Sequence, residues 1–211
     1  MIKIVNEVKE YGKEPVAKGI AYKVFRIKNG KLYPPMVSNS GNEPTPVGVW
    51  IEAEEGEFAG LSKTGRMQVK SSQGGTLSYR PGWHLGDIPL AKQFYRTNKE
   101  TGEKEFPRDF VWAECEYVAE KDYQDAAMQY GYTKNGKFQH SLAGLPEIPK
   151  DGYYRYRTNP NPDTVPWIIT GAIKVNRLLD DYDVQDILAS KGEVAPNRQG
   201  GNLTLDEIMK M

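Results

Sequence analysis

The chain has 211 residues and a mass of 23.8 kDa, and its 28 basic residues balance its 28 acidic ones. That length supports one generous core, and the neutral balance leaves no global field to draw it to nucleic acid or anionic lipid. The single cysteine, Cys115, excludes an internal disulfide and a cysteine-rich zinc site, and no segment approaches the ~20 apolar residues of a membrane span.

The first 19 residues read as an N-terminal arm; lacking a long apolar run, they point to a cytoplasmic, non-secreted chain. A single domain is expected over residues 20–190. Ile20 to Ile27 is a good strand, Asn29-Gly30 is the strongest short hairpin signal, and Lys31 to Tyr33 is the return strand. Val47 to Ala53 reads as a third strand. Residues 54–75 are polar and glycine-rich, the composition of a mobile loop or flap. Leu77 to Arg80 forms another short strand. It leads through Pro81-Gly82 into a helix expected near Asp87, with Pro89 in its first turn and Leu90 and Phe94 on its buried side.

Residues 97–109 are a charged excursion. Phe110 to Ala119 is the cleanest strand, with Val111, Ala113, Cys115 and Tyr117 alternating against Trp112, Glu114, Glu116 and Val118. Tyr123, Ala126, Ala127 and Tyr130 repeat at helical spacing. Tyr153 to Arg157 alternates again, and Trp167 to Val175 makes a long strand whose Gly171 suggests a bulge or a close backbone contact. Asp181 caps a helix carrying Val184, Ile187 and Leu188, ended by Gly192. Residues 191–211 are a linker and a short helix, with Thr204 and Glu207 as a capping box and Leu203 and Ile208 as a staple. Such a short tail docks or, more simply, frays. The expected fold is α+β: a twisted, mostly antiparallel sheet flanked by a few short helices.

The chemistry-bearing stretch is Tyr79-Arg80-Pro81-Gly82-Trp83-His84. Arg80 and His84, four positions apart across a Pro-Gly turn, can face one cleft, where Arg155 or Arg157 would complete a phosphate-binding rim and His84 would serve as general acid or base. The competing reading pairs Arg80 with a carboxylate and fixes the turn by a bond from His84 to a carbonyl. Trp83 and Tyr154 are candidates to stack on a base or nicotinamide, whereas Trp112 reads as core. Glu114 and Glu116 read as edge charges, Cys115 as a buried inert thiol, and His140 as solvated. Two lone histidines without carboxylates at ligand spacing give no metal site. The absence of a GxGxxG, a P-loop or a serine elbow argues against dinucleotide dehydrogenases, NTPases and α/β-hydrolases.

From about Tyr22 to Leu188 the chain resembles a family of domains in large polyvalent proteins of phages and mobile elements. The resemblance is carried by the RPGWH stretch above, Asp87-Ile88-Pro89-Leu90-Ala91, Val111 to Tyr117, Tyr153-Tyr154-Arg155-Tyr156-Arg157-Thr158-Asn159-Pro160 and Trp167 to Val175. It implies a phage or prophage origin. The order of elements is also similar to small NAD-dependent ADP-ribosyltransferases, a similarity of layout alone. That resemblance implies NAD or a related nucleotide as ligand, Lys23 or Arg26 on the early strand toward the nicotinamide ribose or diphosphate, and Tyr79 and His84 from the strand-turn-helix element. Trp167 stands near the place of that superfamily's late-strand glutamate. The expected site is therefore Tyr79, Arg80 and His84 as catalytic groups, with Lys23, Trp83, Tyr154, Arg155 and Asn159 holding the cofactor. Two other functions fit the same residues: a metal-independent ribonuclease, and a non-enzymatic protein that inhibits a host factor. Partners are thus a nucleotide or a host protein, with no membrane and nucleic acid not favoured.

Overall fold

The structure is a computed structural model that describes residues 11–37, 42–157 and 165–211. Fourteen strands and three helices occur among the described residues. The chain opens with β1 (Lys18–Lys28), and the Asn29-Gly30 turn, with φ of 52° and 66°, returns it into β2 (Lys31–Tyr33). Two consecutive positive φ angles are what a type I′ hairpin requires. β3 is Trp50–Glu52, shorter than the sequence suggests.

Residues 54–75 do not form the expected loop. They carry β4 (Phe58–Leu61) and β5 (Met67–Lys70), which pair with β6 (Thr76–Ser78) in a separate three-stranded antiparallel sheet. The turn that follows leads into β7 (Trp83–Gly86), a strand and not a helix; only a short 3₁₀ turn at Lys92–Phe94 follows it. Trp83 and Leu85 are buried on one face of β7, which is the alternation a half-buried strand needs. β8 (Arg96–Thr97) and β9 (Lys104–Glu105) form a small hairpin within the charged excursion.

β10 (Phe110–Val118) is central, and Glu114 and Glu116 are half-buried on it, paired with Arg177 and Lys174. They are not edge charges. β11 (Lys121–Asp122) and α1 (Gln124–Gln129) precede β12 (Gly152–Tyr156). The long strand expected at Trp167 is broken at Gly171 into β13 (Trp167–Thr170) and β14 (Ala172–Leu179). α2 (Asp181–Ser190), capped one residue earlier than expected by the Asp180 carboxylate on the Tyr182 and Asp183 amides, and α3 (Leu205–Met209) close the fold.

The strand order of the main sheet is β11-β12-β13-β7-β1-β10-β14-β3, with β2 on β1. β13 and β14 are four places apart in that order, so on a flat sheet they would lie ~19 Å apart. Yet Thr170 and Ala172 are two residues apart, within about 7 Å. The sheet therefore curls until one kinked strand closes it into a small barrel around Phe25, Leu85, Val111, Ala113, Ile168 and Ile173. Ile168 and Ile173 both point inward although they are five positions apart, an odd number, so the alternation slips at Gly171. A Cβ there would sit 2.4 Å from the Pro149 carbonyl oxygen, so only glycine fits. A second cluster, including Trp112, Phe106 and Leu188, packs α2 and the aromatic loop on the outside.

The tail does not fray. Leu203 and Ile208 are buried, Glu207 accepts bonds from the Thr204 amide and hydroxyl at 2.8 Å, and the Met211 carbonyl accepts from the Asn29 amide. No helix among the described residues is long and apolar enough to cross a membrane.

Candidate functional site

β1 and β7 are antiparallel neighbours paired at one position, Tyr22↔Gly86. Beyond it the two strands splay, and a cavity of about 360 Å³ opens there. Lys23 and Trp83 reach it from positions whose neighbours Phe25 and Leu85 point into the barrel. His84, Tyr156 and Trp167 reach it from the opposite face. The three-stranded sheet contributes Val69, Leu77 and Ser78, so the segment predicted as a flap forms one wall. The rest is mostly apolar, from Pro34 to Val37, Ile51, Ala53 and Phe94, with Glu52 and Glu54 as its carboxylates.

Of the sequence-predicted residues, Lys23, Tyr79, Arg80, Trp83 and His84 line this one cavity. Tyr154 and Arg155 do not. Tyr154 is fully buried behind Arg80, among Ala127, Ala143 and Ile169. Arg155, one residue on, points the other way and pairs with Asp87 at 3.1 Å. Asn159 lies outside the described residues. Tyr156, which the sequence reading passed over, lines the cavity two residues beyond Tyr154; the strict alternation of the Tyr-Arg-Tyr run was the available signal.

Lys23 is the unusual member. It is only 6% exposed, and its Nζ donates to the His84 carbonyl at 3.2 Å, with the Trp83 and Phe25 rings at 5.0 and 5.4 Å. No carboxylate pairs with it among the described residues. Burial lowers its pKa to about 8, because the charged form is poorly solvated there. Trp83 is held by a bond from its Nε1 to the Ile51 carbonyl at 3.3 Å.

Arg80 clamps a loop as well as facing the cavity. Its Nη2 donates to the Ser141 carbonyl and its Nε to the Ala143 carbonyl at 3.4 Å, and its guanidinium lies 4.3 Å from the Tyr156 ring centroid. These partners carry no net charge, and among the described residues no carboxylate pairs with Arg80, so the competing reading of a carboxylate partner is not what fixes it. Burial pushes the Tyr79 hydroxyl up to about 12, helped by Glu55 beside it, so Tyr79 stays a neutral donor.

His84 Nδ1 sits 3.1 Å from the Gly82 carbonyl. A carbonyl only accepts, so Nδ1 carries the hydrogen and Nε2 keeps its lone pair. Burial first, then the nearby Lys23 charge, lowers the imidazole pKa to about 3. His84 is thus a neutral acceptor near pH 7, with no proton to give in the ligand-free site. A consequence is testable. Between the folded value near 3 and the ordinary 6.5, the unfolded chain binds more protons, so stability falls on acidification, by about 2 kcal/mol at pH 5. Urea melts at pH 7 and pH 5 are expected to show this loss in the wild type and not in His84→Gln.

Cys115 is buried, and its thiol is pushed up to about 12 by desolvation; it is inert. His140 is exposed against the edge of Phe138, and Trp112 stacks on Phe106 in the core, as the sequence indicated. No family model, no curated protein and no solved structure matches this chain.

Proposed function

We propose that the chain binds a small anionic, ring-bearing ligand of the nucleotide class in the cavity between β1 and β7. The observation that carries this reading is the Lys23 ammonium, nearly buried on the cavity wall and in no ion pair among the described residues. A buried charge without a counter-ion is costly to the fold, and a ligand phosphate or carboxylate would supply the missing partner. Arg80 adds a second cation, Trp83, Trp167 and Phe94 offer aromatic surface, and Glu52, Glu54 and His84 Nε2 offer acceptors for sugar hydroxyls. The volume lies near the lower end of ~300–1,000 Å³ ligand cavities, which favours one ring, its sugar and an anionic group.

The layout similarity extends this to an ADP-ribosyltransferase-like use of NAD by a phage or mobile-element effector, with Tyr79 and His84 beside the nicotinamide ribose. Trp167 in place of a glutamate leaves Glu52 and Glu54 as the carboxylates nearest such a reaction. A metal-independent ribonuclease would require His84 to alternate between acid and base, which its depressed pKa opposes.

The test is melting of the protein with AMP, ADP-ribose and NAD at millimolar concentrations. Binding to the folded state alone must raise the midpoint, by the equivalent of about 2.7 kcal/mol at 100 times the dissociation constant. A saturable rise with at least one of the three is expected. No rise with any of them would remove the nucleotide class.

A further inference from the structure

Four other lysines end on carboxylates: Lys13 on Glu120, Lys18 on Glu14, Lys70 on Glu57 and Lys174 on Glu116. Lys23 pairs with none among the described residues. Its Nζ lies near the Phe25 and Trp83 rings, at 5.4 and 5.0 Å from their centroids, and donates to one carbonyl. A lysine that serves only the fold either pairs or carries its head out to water. This one does neither, and it faces a cavity.

We propose that Lys23 is a carbonyl-capturing amine, which forms an imine with an aldehyde- or ketone-bearing ligand entering the cavity. This use shares the cavity with the proposed nucleotide site and does not depend on the ligand being a nucleotide. The chemistry follows from the geometry around Nζ. One N–H is spent on the His84 carbonyl at 3.2 Å, which fixes the nitrogen. In the neutral amine that leaves one N–H and the lone pair. The lone pair attacks the ligand's carbonyl carbon, a C–N bond forms, and the C=O pair moves to oxygen, which takes up a proton while the nitrogen loses one. The carbinolamine then loses its hydroxyl as water together with the last proton of the nitrogen, giving C=N, so the bond to the His84 carbonyl is given up in the product. Amine plus carbonyl becomes imine plus water, with nothing oxidised or reduced. The apolar wall of Ile51, Val69 and Leu77 limits the water that would reverse the last step.

Burial supports the same role by favouring the neutral form. With a pKa of about 8, about a tenth of Lys23 is the free amine at pH 7, against well under a thousandth for an ordinary lysine. Desolvated lysines owe their nucleophilicity to this effect.

The experiment is reductive trapping on the full chain. The protein is incubated at pH 8 with pyridoxal or pyridoxal 5′-phosphate, reduced with borohydride, and the modified residue located by peptide mass spectrometry. Lys23 is expected to be modified ahead of the exposed Lys31, Lys63 and Lys99, with a pH profile that rises near 8. Lys23→Arg keeps the cation and is expected to lose that adduct while the surface lysines react as before. Lys23 left unmodified, or modified no faster than those three, would overturn the proposal. The melting experiment above is independent of this one, so imine trapping can fail while nucleotide binding stands, and the reverse.

Discussion

Lys23→Met is expected to make the protein more stable at pH 7, by about 2 kcal/mol, while weakening an anionic ligand 10- to 100-fold. The gain follows from linkage. The folded pKa of Lys23 is near 8 and its ordinary value 10.5, so between those pH values the unfolded chain binds the extra proton and stability rises with pH. Below pH 8 both states are charged and the full penalty, about 3 kcal/mol, stands. Methionine removes that penalty, keeps the volume, and forfeits about 1 kcal/mol by leaving the His84 carbonyl without its donor. The affinity loss is that of one charge-assisted hydrogen bond, about 1.5–3 kcal/mol. Urea denaturation at pH 7 and pH 10 separates the terms. Wild type should gain stability between the two, the Met variant should not, and the two should converge at the upper pH. A Met variant less stable than wild type at pH 7 would mean that the ammonium supports the fold, and the argument for a ligand charge would fall with it.

Five of the residues named from sequence meet in one cavity because a Pro-Gly turn brings Arg80 and Tyr79 against Trp83 and His84, and β1 runs beside them. That juxtaposition was legible from residue types and turn chemistry. The strand β7 was not, since four residues followed by Asp87 and Pro89 carry the same local signals as a helix start. Its strand state is set by pairing with β13, more than eighty residues away in sequence, from Thr170↔Trp83 to Trp167↔Gly86. Arg155 and Tyr154 were placed by their chemistry alone. Alternation then sent Arg155 to Asp87 and Tyr154 into packing, and no local signal says which end of a strand meets a cavity that other strands enclose. The glycines of residues 54–75 read as loop because the sheet they permit gains its stability from covering Val69, a tertiary effect. Closure of the barrel through Gly171 was legible only as a possible bulge or close contact; what it brings close, Pro149 and Lys150, lies more than twenty residues upstream.

Arg198→Ala is expected to destabilise the protein by about 3–5 kcal/mol, the loss that attends breaking a buried ion pair from one side. Arg198 is 3% exposed and lies in the segment that reads from sequence as linker. Its Nε donates to Asp181 Oδ2 at 2.6 Å, and its Nη1 lies 3.1, 3.0 and 2.7 Å from the Pro107, Arg108 and Phe110 carbonyls. The same Asp181 oxygen accepts the Leu203 amide at 2.8 Å, so one pair ties α2, the last helix and the loop into β10 together. The guanidinium also covers Phe106, which packs on Phe110, and Phe110 backs Phe94, whose ring meets Trp167 on the cavity wall. The tail therefore supports the cavity through a run of aromatic contacts without touching a ligand. Removing Arg198 alone strands the buried Asp181 carboxylate, and Arg198→Lys is expected to recover little, because an ammonium cannot span the carboxylate and three carbonyls as a planar fork does. The double change Asp181→Leu with Arg198→Met removes both charges and is expected to recover part of the loss. Urea melts of wild type, Asp181→Leu, Arg198→Met and the double variant form the cycle. Equal, additive losses from the two single substitutions would show that the pair is not coupled and that the tail is held by Leu203 and Ile208 alone.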